Sequence, residues 1–183
     1  MKKTLLLSGV ACLLSTQANA ETIKPYLGFD LGVTKIEYSN KIGSGHTDTM
    51  AVADINFGLK FNQYFGVELS SQASSESDVE SMGDLSYSSI GIDAVGYIPL
   101  NTKLELFAMA GVGYYDFDLK INRKVYDLEV HAIKHETAFR GGLGLQYNIN
   151  EKWALRGMAR YHYIDNDFFD YIGEAVLGVR YTF

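Results

Sequence analysis

The chain has 183 residues, the length of one domain, and it is rich in glycine and tyrosine but contains only 2 prolines. Its formal net charge is −6, and the chain contains no long run of basic residues. This charge balance argues against a nucleic-acid partner, and the composition favours strands over helices.

Residues 1–20 have the pattern of a cleaved export signal. A lysine pair precedes a short apolar run, and Ala18 and Ala20 have the small-residue spacing of a cleavage site. The apolar run is shorter than the roughly 20 residues that a spanning helix needs. We therefore predict cleavage after Ala20 and a single barrel domain over residues 21–183.

The single cysteine, Cys12, lies within this signal. A mature chain cleaved after Ala20 would have neither a disulfide nor thiol chemistry. The alternative is lipoprotein cleavage directly before Cys12. Against that alternative, Gly9 stands where the lipid-attachment motif usually has leucine, and Ala20 offers a better cleavage site.

Eight stretches in which apolar residues recur with a period near two follow the signal. Each is close to the about 9–11 residues with which a tilted strand crosses a bilayer. The predicted strands are 24–36, 51–61, 65–73, 86–98, 104–116, 137–148, 153–164 and 172–183.

Short and long connections alternate between these strands. The predicted short turns are 61–64, 99–103 and 148–152, and the predicted long connections are 37–50, 74–85, 117–136 and 165–171. Bacterial outer-membrane barrels show this asymmetry, with the long loops facing outside. Pro99 falls in a predicted turn, where it removes no ladder hydrogen bond.

Each predicted strand has one apolar face and one face that is polar, charged or glycine. In the first strand, Leu27, Phe29 and Leu31 alternate with Gly28 and Asp30. A soluble barrel with an apolar lumen would reverse this order, and a soluble sandwich with one buried face is the alternative. The export signal and the paired faces favour a closed transmembrane barrel, because lipid cannot satisfy open strand edges.

Aromatic residues mark the strand ends next to the predicted short turns, where an aromatic girdle belongs. These residues are Tyr64, Phe65, Tyr147, Trp153 and Tyr181. The last predicted strand continues the alternation and ends on Phe183.

Four segments carry a resemblance to a known family: Pro25-Tyr26-Leu27-Gly28, residues 107–115, residues 141–147, and the terminal Gly178-x-x-Tyr181-x-Phe183. The chain resembles the outer membrane protein β-barrel domain family, the small eight-stranded group that includes OmpA-like and opacity-type surface proteins. The resemblance implies an all-β fold: an eight-stranded antiparallel transmembrane β-barrel with short periplasmic turns and long extracellular loops.

The terminal pattern is similar to the signal that the barrel-assembly machinery reads in this family. The resemblance therefore implies an assembly role for Gly178, Tyr181 and Phe183. It does not define an activity, because members of the family share a scaffold and differ in their loops.

Charged residues alternate into the predicted lumen, which in an eight-stranded barrel is just wide enough to be filled by side chains. The ten inward charged residues are Asp30, Asp54, Glu68, Asp93, Glu105, Arg140, Arg156, Arg160, Glu174 and Arg180. We expect a plug of salt bridges with trapped water, because unpaired buried charges are costly and arginine can satisfy two carboxylate oxygens. The alternative is a narrow, porin-like ion path.

Histidines supply two further candidate sites. His131 and His135 have a spacing that suits a metal, and we expect them in the largest outer loop or on a strand extension above the membrane. Two ligands alone are a weak signal, and a solvated loop is the simpler interpretation. His162 is predicted to face the lumen, and it is the candidate for a lipid A-modifying enzyme. No serine lies two residues away, where a deacylase pattern would have it. We therefore expect no enzyme activity, no metal and no cofactor.

Acidic residues dominate the predicted long connections, and loops on a rigid barrel are where recognition is usually found. The sequence predicts a monomeric outer-membrane protein of a Gram-negative bacterium with a structural or surface-interaction role, such as envelope integrity, adhesion or host interaction. The expected partners are outer-membrane lipids and lipopolysaccharide, the barrel-assembly machinery, and an unknown extracellular partner at the loops.

Overall fold

The structure is a computed structural model that describes residues 23–38, 47–79, 83–123, 128–164 and 169–183. None of the described residues belongs to a helix that is long and apolar enough to cross a membrane. The described residues form nine strands: β1 (Lys24–Tyr38), β2 (Thr47–Lys60), β3 (Phe65–Ser74), β4 (Ser77–Val79), β5 (Gly83–Pro99), β6 (Leu104–Arg123), β7 (Leu128–Asn148), β8 (Trp153–Ile164) and β9 (Phe169–Thr182).

The strands form one sheet that closes on itself. Neighbouring strands are antiparallel throughout, and the last long strand returns to the first, so that Leu177 of β9 lies opposite Leu31 of β1. Closure is completed between β3 and β5, where Leu69 lies opposite Ile92. β4 is a three-residue extension that pairs with the start of β5. The predicted eight-stranded antiparallel barrel is therefore confirmed.

Side chains alternate between the lumen and the exterior along the long strands. In β1, Leu27, Phe29 and Leu31 are 43–55% exposed, whereas Tyr26 and Asp30, which alternate with them, are buried. This alternation places the apolar residues outside and the polar residues inside, which is the reverse of a soluble barrel and the order that a lipid environment requires.

The three short turns that the structure describes are built in the same way. In each one an asparagine side chain accepts hydrogen bonds from the backbone N–H groups two and three residues later. For Asn62 the distances are 2.8 and 2.9 Å, for Asn101 both are 2.8 Å, and for Asn150 both are 2.9 Å. Asparagine favours this local pattern because its short amide reaches its own backbone. We call the barrel end that carries these turns the turn end.

We call the opposite end of the barrel the extension end. The strands there are longer than the sequence predicted. The predicted connection 117–136 is wrong over most of its length, because β6 continues to Arg123 and β7 begins at Leu128. β2 and β5 also begin earlier than predicted, at Thr47 and Gly83. Pro99 is the last residue of β5 and not a turn residue.

The cause of this error is a reversal of the facial pattern. At the extension end the inward side chains of Tyr87 and Phe117 are apolar and buried, while Ser88 and His135 outside are exposed. Apolar-in and polar-out is the pattern of a strand surrounded by water. A search for strands with an apolar outer face therefore stops where the wall leaves the lipid.

Leu177 tests the assignment of the outer face, since it is 74% exposed in the middle of β9. We expect Leu177→Arg to lower the free energy of unfolding in lipid vesicles by roughly 2–4 kcal/mol, because a charge at the bilayer midplane is poorly solvated. Thr102→Arg, in an exposed short turn, is the control and should change little. Equal tolerance of both substitutions in urea titrations would mean that Leu177 does not face lipid.

Candidate functional site

Arg156 of β8 is the centre of the ion network in the lumen. Its guanidinium donates to Asp30 Oδ1 from Nε at 2.9 Å and contacts Asp30 Oδ2 through Nη2. It also donates to Glu68 through Nη1 at 2.8 Å and through Nη2 at 3.1 Å. All three side chains are buried. One cation therefore ties β8 to β1 and to β3 across the barrel.

Arg180 is the second cation on Glu68. Its Nη2 donates to Glu68 Oε2 at 2.7 Å, and its Nη1 donates to Gln146 Oε1 at 2.7 Å. The Arg180 guanidinium lies 3.9 Å from the centre of the Tyr26 ring, and the Tyr26 hydroxyl donates to Glu68 Oε2 at 2.9 Å. Each charged group in this layer therefore has several partners, as a buried ion pair requires.

The network continues to the turn end through Glu105. Lys60 Nζ donates to Glu105 Oε1 at 2.8 Å, and Gln146 Nε2 donates to Glu105 Oε2 at 3.1 Å. Since Gln146 also accepts from Arg180, the polar contacts form an unbroken chain from Lys60 to Asp30. We call this chain the turn-end network.

Arg140 of β7 and Asp93 of β5 form a separate pair. Arg140 Nε donates to Asp93 Oδ1 at 2.8 Å, a second contact joins Arg140 Nη2 to Asp93 Oδ2, and Arg140 Nη2 donates to Ser70 Oγ at 2.6 Å. Gly91 makes room for the guanidinium, because a Cβ atom there would lie 2.2 Å from Arg140 Cζ. This two-pronged geometry is what distinguishes arginine from lysine in such pairs.

Arg160 is the centre of a third group, the extension-end network. Its Nη1 lies 3.3 Å from Asp54 Oδ2 and 3.5 Å from Glu174 Oε1. Glu174 Oε2 accepts from Gln72 Nε2 at 2.8 Å and lies 3.3 Å from His162 Nε2. The other ring nitrogen of His162 contacts the Tyr115 hydroxyl.

The extension-end network is less saturated than the turn-end network. Arg160 Nε and Nη2, Asp54 Oδ1 and Glu174 Oε1 are all buried without a hydrogen-bond partner among the described protein atoms. Buried polar groups of this kind are the usual sites of internal water. In the turn-end network, Arg180 Nε also lacks a partner among these atoms. The two networks therefore differ in degree, because more of the buried polar atoms around Arg160 are without a hydrogen bond.

An apolar layer lies beyond the extension-end network, and we call it the apolar cover. Its members are buried inward side chains: Ile36, Met50, Tyr87, Phe117 and Ile172. The rings of Tyr87 and Phe117 are in contact, with centroids 5.8 Å apart. The Tyr87 hydroxyl donates to Gln72 Oε1 at 3.3 Å, which joins the cover to the polar layer.

All ten charged residues predicted to face the lumen are buried there. The structure brings nine of them into ion pairs with one another, and Glu105 pairs with Lys60. Sequence reasoning missed Lys60, Tyr26 and Gln146 as partners. Their inward positions were visible in the alternation, but the contacts across the lumen depend on the stagger of the strands.

The C-terminal residues make contacts both inside and outside the wall. The Tyr181 ring contacts Trp153 and Phe183, with centroids 4.9 and 5.3 Å away, and the Phe183 N–H donates to the Pro25 carbonyl at 3.1 Å. Gly178 faces the lumen, and a Cβ atom there would lie 1.8 Å from Asp30 Oδ1. Gly178 therefore has a packing role beside Asp30, in addition to the assembly role predicted from the sequence.

The histidine pair 131/135 lies on β7, which is the predicted strand extension rather than the predicted loop. The His135 side chain is exposed, contacts Asp116 through Nδ1 and stacks on Tyr114 with centroids 5.7 Å apart. Within the described parts of the chain, no group of three or more possible metal ligands occurs. Ala18 and Ala20 lie outside the described residues, so cleavage after Ala20 stays a prediction.

These features define a closed β-barrel with a lipid-facing exterior and a polar lumen filled by side chains. The outer membrane protein beta-barrel domain family matches residues 4–183, and the chain belongs to that family. No curated protein matches the chain.

Solved structures share the fold at low sequence identity. Neisserial surface protein A is 16% identical with a TM-score of 0.71, covering 87% of this chain and 97% of its own. Ail of Yersinia pestis, solved with the heparin analogue sucrose octasulfate, is 18% identical with a TM-score of 0.59, covering 87% and 99%. The N-terminal barrel of Pseudomonas aeruginosa OprF is 15% identical with a TM-score of 0.60, covering 88% and 100%.

The difference between the two networks can be measured. We expect Arg156→Ala to lower the free energy of unfolding by about 3–5 kcal/mol, because it leaves Asp30 and Glu68 as buried charges that have lost a partner. Arg160→Ala is the matched control and should cost less, since two of its nitrogens have no protein partner to lose. Equal losses in urea titrations would show that saturation of the contacts does not determine stability.

The terminal aromatic can be tested separately from the lumen. Deletion of Phe183 should reduce the amount of folded barrel in the membrane, because the deletion removes a ring on Tyr181 and a backbone bond to Pro25. Phe183→Tyr keeps both and should assemble normally. Heat-modifiable migration on gels measures the folded fraction, and normal levels of the deletion variant would count against an assembly signal.

Proposed function

We propose that the protein is a non-catalytic barrel of the Gram-negative outer membrane, with a sealed lumen and a structural or surface-interaction role. Envelope integrity, adhesion and host interaction belong to this class. The observation that carries the proposal is the order of layers in the lumen: a turn-end network held by direct contacts, a second ionic network, and the apolar cover above both.

The turn-end network supports a barrel that does not conduct. An ion entering from the turn end would have to displace Arg156 or Arg180 from Glu68, and both arginines hold that carboxylate through direct contacts at 2.7–3.1 Å. Separating a buried pair leaves uncompensated charge in a site with little water, which is strongly unfavourable.

The apolar cover supports the same conclusion from the extension end. Ile36 and Ile172 are fully buried, and Phe117 is 4% exposed. An apolar constriction excludes ions because it offers no replacement for their hydration shell. An ion would therefore meet an apolar layer before reaching Arg160.

The surroundings of His162 support a role without catalysis. The ring is fully buried beneath the apolar cover, and both of its nitrogens face protein groups, Tyr115 and Glu174. A lipid substrate would lie outside the wall, whereas His162 points into the lumen. We propose that His162 stabilises Glu174 and that the protein does not modify lipid A.

The extension end is the surface that we propose for interaction. Its outward side chains include Ser88, Asp116 and His135, and all three are at least partly exposed. Ail was solved with a sulfated heparin analogue. We do not propose a sulfated ligand here, because Asp116 and the net charge of −6 would repel it.

A narrow channel is the second candidate. The unpartnered nitrogens of Arg160 favour it, since they indicate a lumen that is hydrated in its extension-end half. Such a path would still have to cross the turn-end network, and the sealed barrel therefore remains our proposal.

Single-channel recording distinguishes the two candidates. We expect the refolded protein to migrate faster on a gel before boiling than after it, and to show no steady open level in a planar bilayer. The gel shift is the control, because it shows that the silent sample is folded. Steady openings from the folded sample would replace the sealed barrel with the channel.

A further inference from the structure

The buried acidic side chains of the lumen outnumber the buried cations by one. Lys60 and Glu105 at the turn end compensate each other. Among the other described residues of the lumen, the buried acids are Asp30, Asp54, Glu68, Asp93 and Glu174, and the buried arginines are Arg140, Arg156, Arg160 and Arg180. With every carboxyl group ionised and His162 neutral, this set would have one uncompensated negative charge. Such a charge is strongly unfavourable where water is scarce, so we expect the set to bind one further proton.

Three of the five carboxyl groups have the surroundings of an ionised group. Asp30 accepts from Arg156 Nε through both of its oxygens, at 2.9 and 3.1 Å. Glu68 also accepts through both oxygens from Arg156, at 2.8 and 3.1 Å. Asp93 has two contacts with Arg140. A guanidinium that meets both oxygens of a carboxylate stabilises the charged form.

Asp54 is the least compensated of the five carboxyl groups. Its Oδ2 accepts one hydrogen bond from Arg160 Nη1 at 3.3 Å, and that nitrogen is shared with Glu174 Oε1 at 3.5 Å. Asp54 Oδ1 is buried without a hydrogen-bond partner among the described protein atoms. Glu174, by contrast, accepts from Gln72 Nε2 at 2.8 Å and lies 3.3 Å from His162 Nε2. A neutral hydroxyl without a partner is less costly to bury than a charged oxygen.

The groups that face Asp54 favour its neutral form. Asp30 of β1 lies directly opposite Asp54 in the ladder with β2, and both side chains are buried in the lumen. Like charges in directly opposite positions destabilise a sheet. Gln72, the neighbour of Asp54 in β3, is neutral, whereas Glu68 of β3 adds a further negative charge nearby. Arg156 of β8 is also near Asp54, but its guanidinium is already held by Asp30 and Glu68.

His162 is the other group that could bind the proton. Its Nε2 faces Glu174, which would stabilise a charged ring. Arg140 and Arg160 also act on the ring electrostatically, and both would oppose a further positive charge there. Protonation of Asp54 removes the excess negative charge without placing a third cation between these arginines.

We propose that Asp54 binds one proton in the folded barrel and keeps it at about pH 5, where an ordinary aspartate with a pKa of about 3.9 is ionised. The proton makes the buried set of charges neutral. Release of the proton as the pH rises leaves one uncompensated negative charge, with Arg160 shared between two carboxylates. The site goes beyond the surface-interaction role, because it makes the stability of the closed lumen depend on pH.

The test compares Asp54→Asn with Asp93→Asn, each refolded in lipid nanodiscs. Asparagine has the shape of aspartic acid but cannot ionise, so Asp54→Asn leaves four buried acids for four arginines. We expect this variant to be more resistant to urea than the unsubstituted barrel at about pH 8, where the proton has been released. Asp93→Asn is the matched control and should be less resistant, because Arg140 loses the charge that its two contacts share.

The pH dependence has a defined sign. A group that keeps its proton to higher pH in the folded state than in the unfolded state stabilises the fold at low pH, and this stabilisation is lost as the pH rises. The unfolding constant of the unsubstituted barrel should therefore rise relative to that of Asp54→Asn, by at most about ten-fold per pH unit. The rise should begin above about pH 4, where the unfolded chain is ionised, and end where Asp54 has released its proton.

Carbon NMR of the unsubstituted barrel observes the proton directly and needs no variant. The carboxyl resonance of Asp54, assigned through its own β-carbon, should be that of the protonated form at about pH 5 and should move to that of the ionised form as the pH rises. The resonances of Asp30 and Asp93 should stay ionised over the same range. This measurement decides the question if either variant does not fold.

An ionised Asp54 resonance at about pH 5 would overturn the inference. So would an Asp54→Asn variant that is less stable than the unsubstituted barrel at every pH, as expected for Asp93→Asn. Titration of the His162 ring with an unchanged Asp54 resonance would place the proton on the imidazole and would overturn it as well.

Discussion

The contact on which the rest of the structure depends is the guanidinium of Arg156 between Asp30 and Glu68. These residues come from β8, β1 and β3, so the contact crosses the lumen and includes β1, the strand that pairs with the last strand, β9. In lipid, closure of the barrel gives the backbone groups of every strand edge a hydrogen-bond partner. The polar side chains of the interior must then find their partners among one another. Small residues such as Gly178 are required around this contact, because a larger side chain would overlap Asp30.

The strands of the barrel wall and the direction of their side chains could be predicted from the sequence. The contacts between side chains across the lumen could not. Alternation along one strand reveals which way a side chain such as Lys60 or Gln146 points, because the period is fixed by backbone geometry. Whether Lys60 meets Glu105 depends on how far the strands are staggered around the barrel. That stagger is a property of all the strands together, so the inward residues could be predicted but their partners could not.

The strand ends were missed for a different reason. Within the membrane, Leu177 is outside and Arg180 is inside; at the extension end, Phe117 is inside and His135 is outside. One strand can therefore have apolar side chains outside where lipid surrounds it and apolar side chains inside where water surrounds it. The change of pattern marks where the wall leaves the membrane, and it could have been found by testing for both orders, since apolar residues still recur at every second position near Phe117.

The repeated turns have a consequence for how the fold could change. Asn62, Asn101 and Asn150 each fix the geometry of a hairpin through contacts inside the hairpin itself. The register of such a hairpin is therefore determined by contacts within the hairpin and not by the neighbouring strands. A hairpin of this kind could be duplicated or exchanged as a unit. The resulting barrel would have a different number of strands, and its lumen would need a different set of charged side chains.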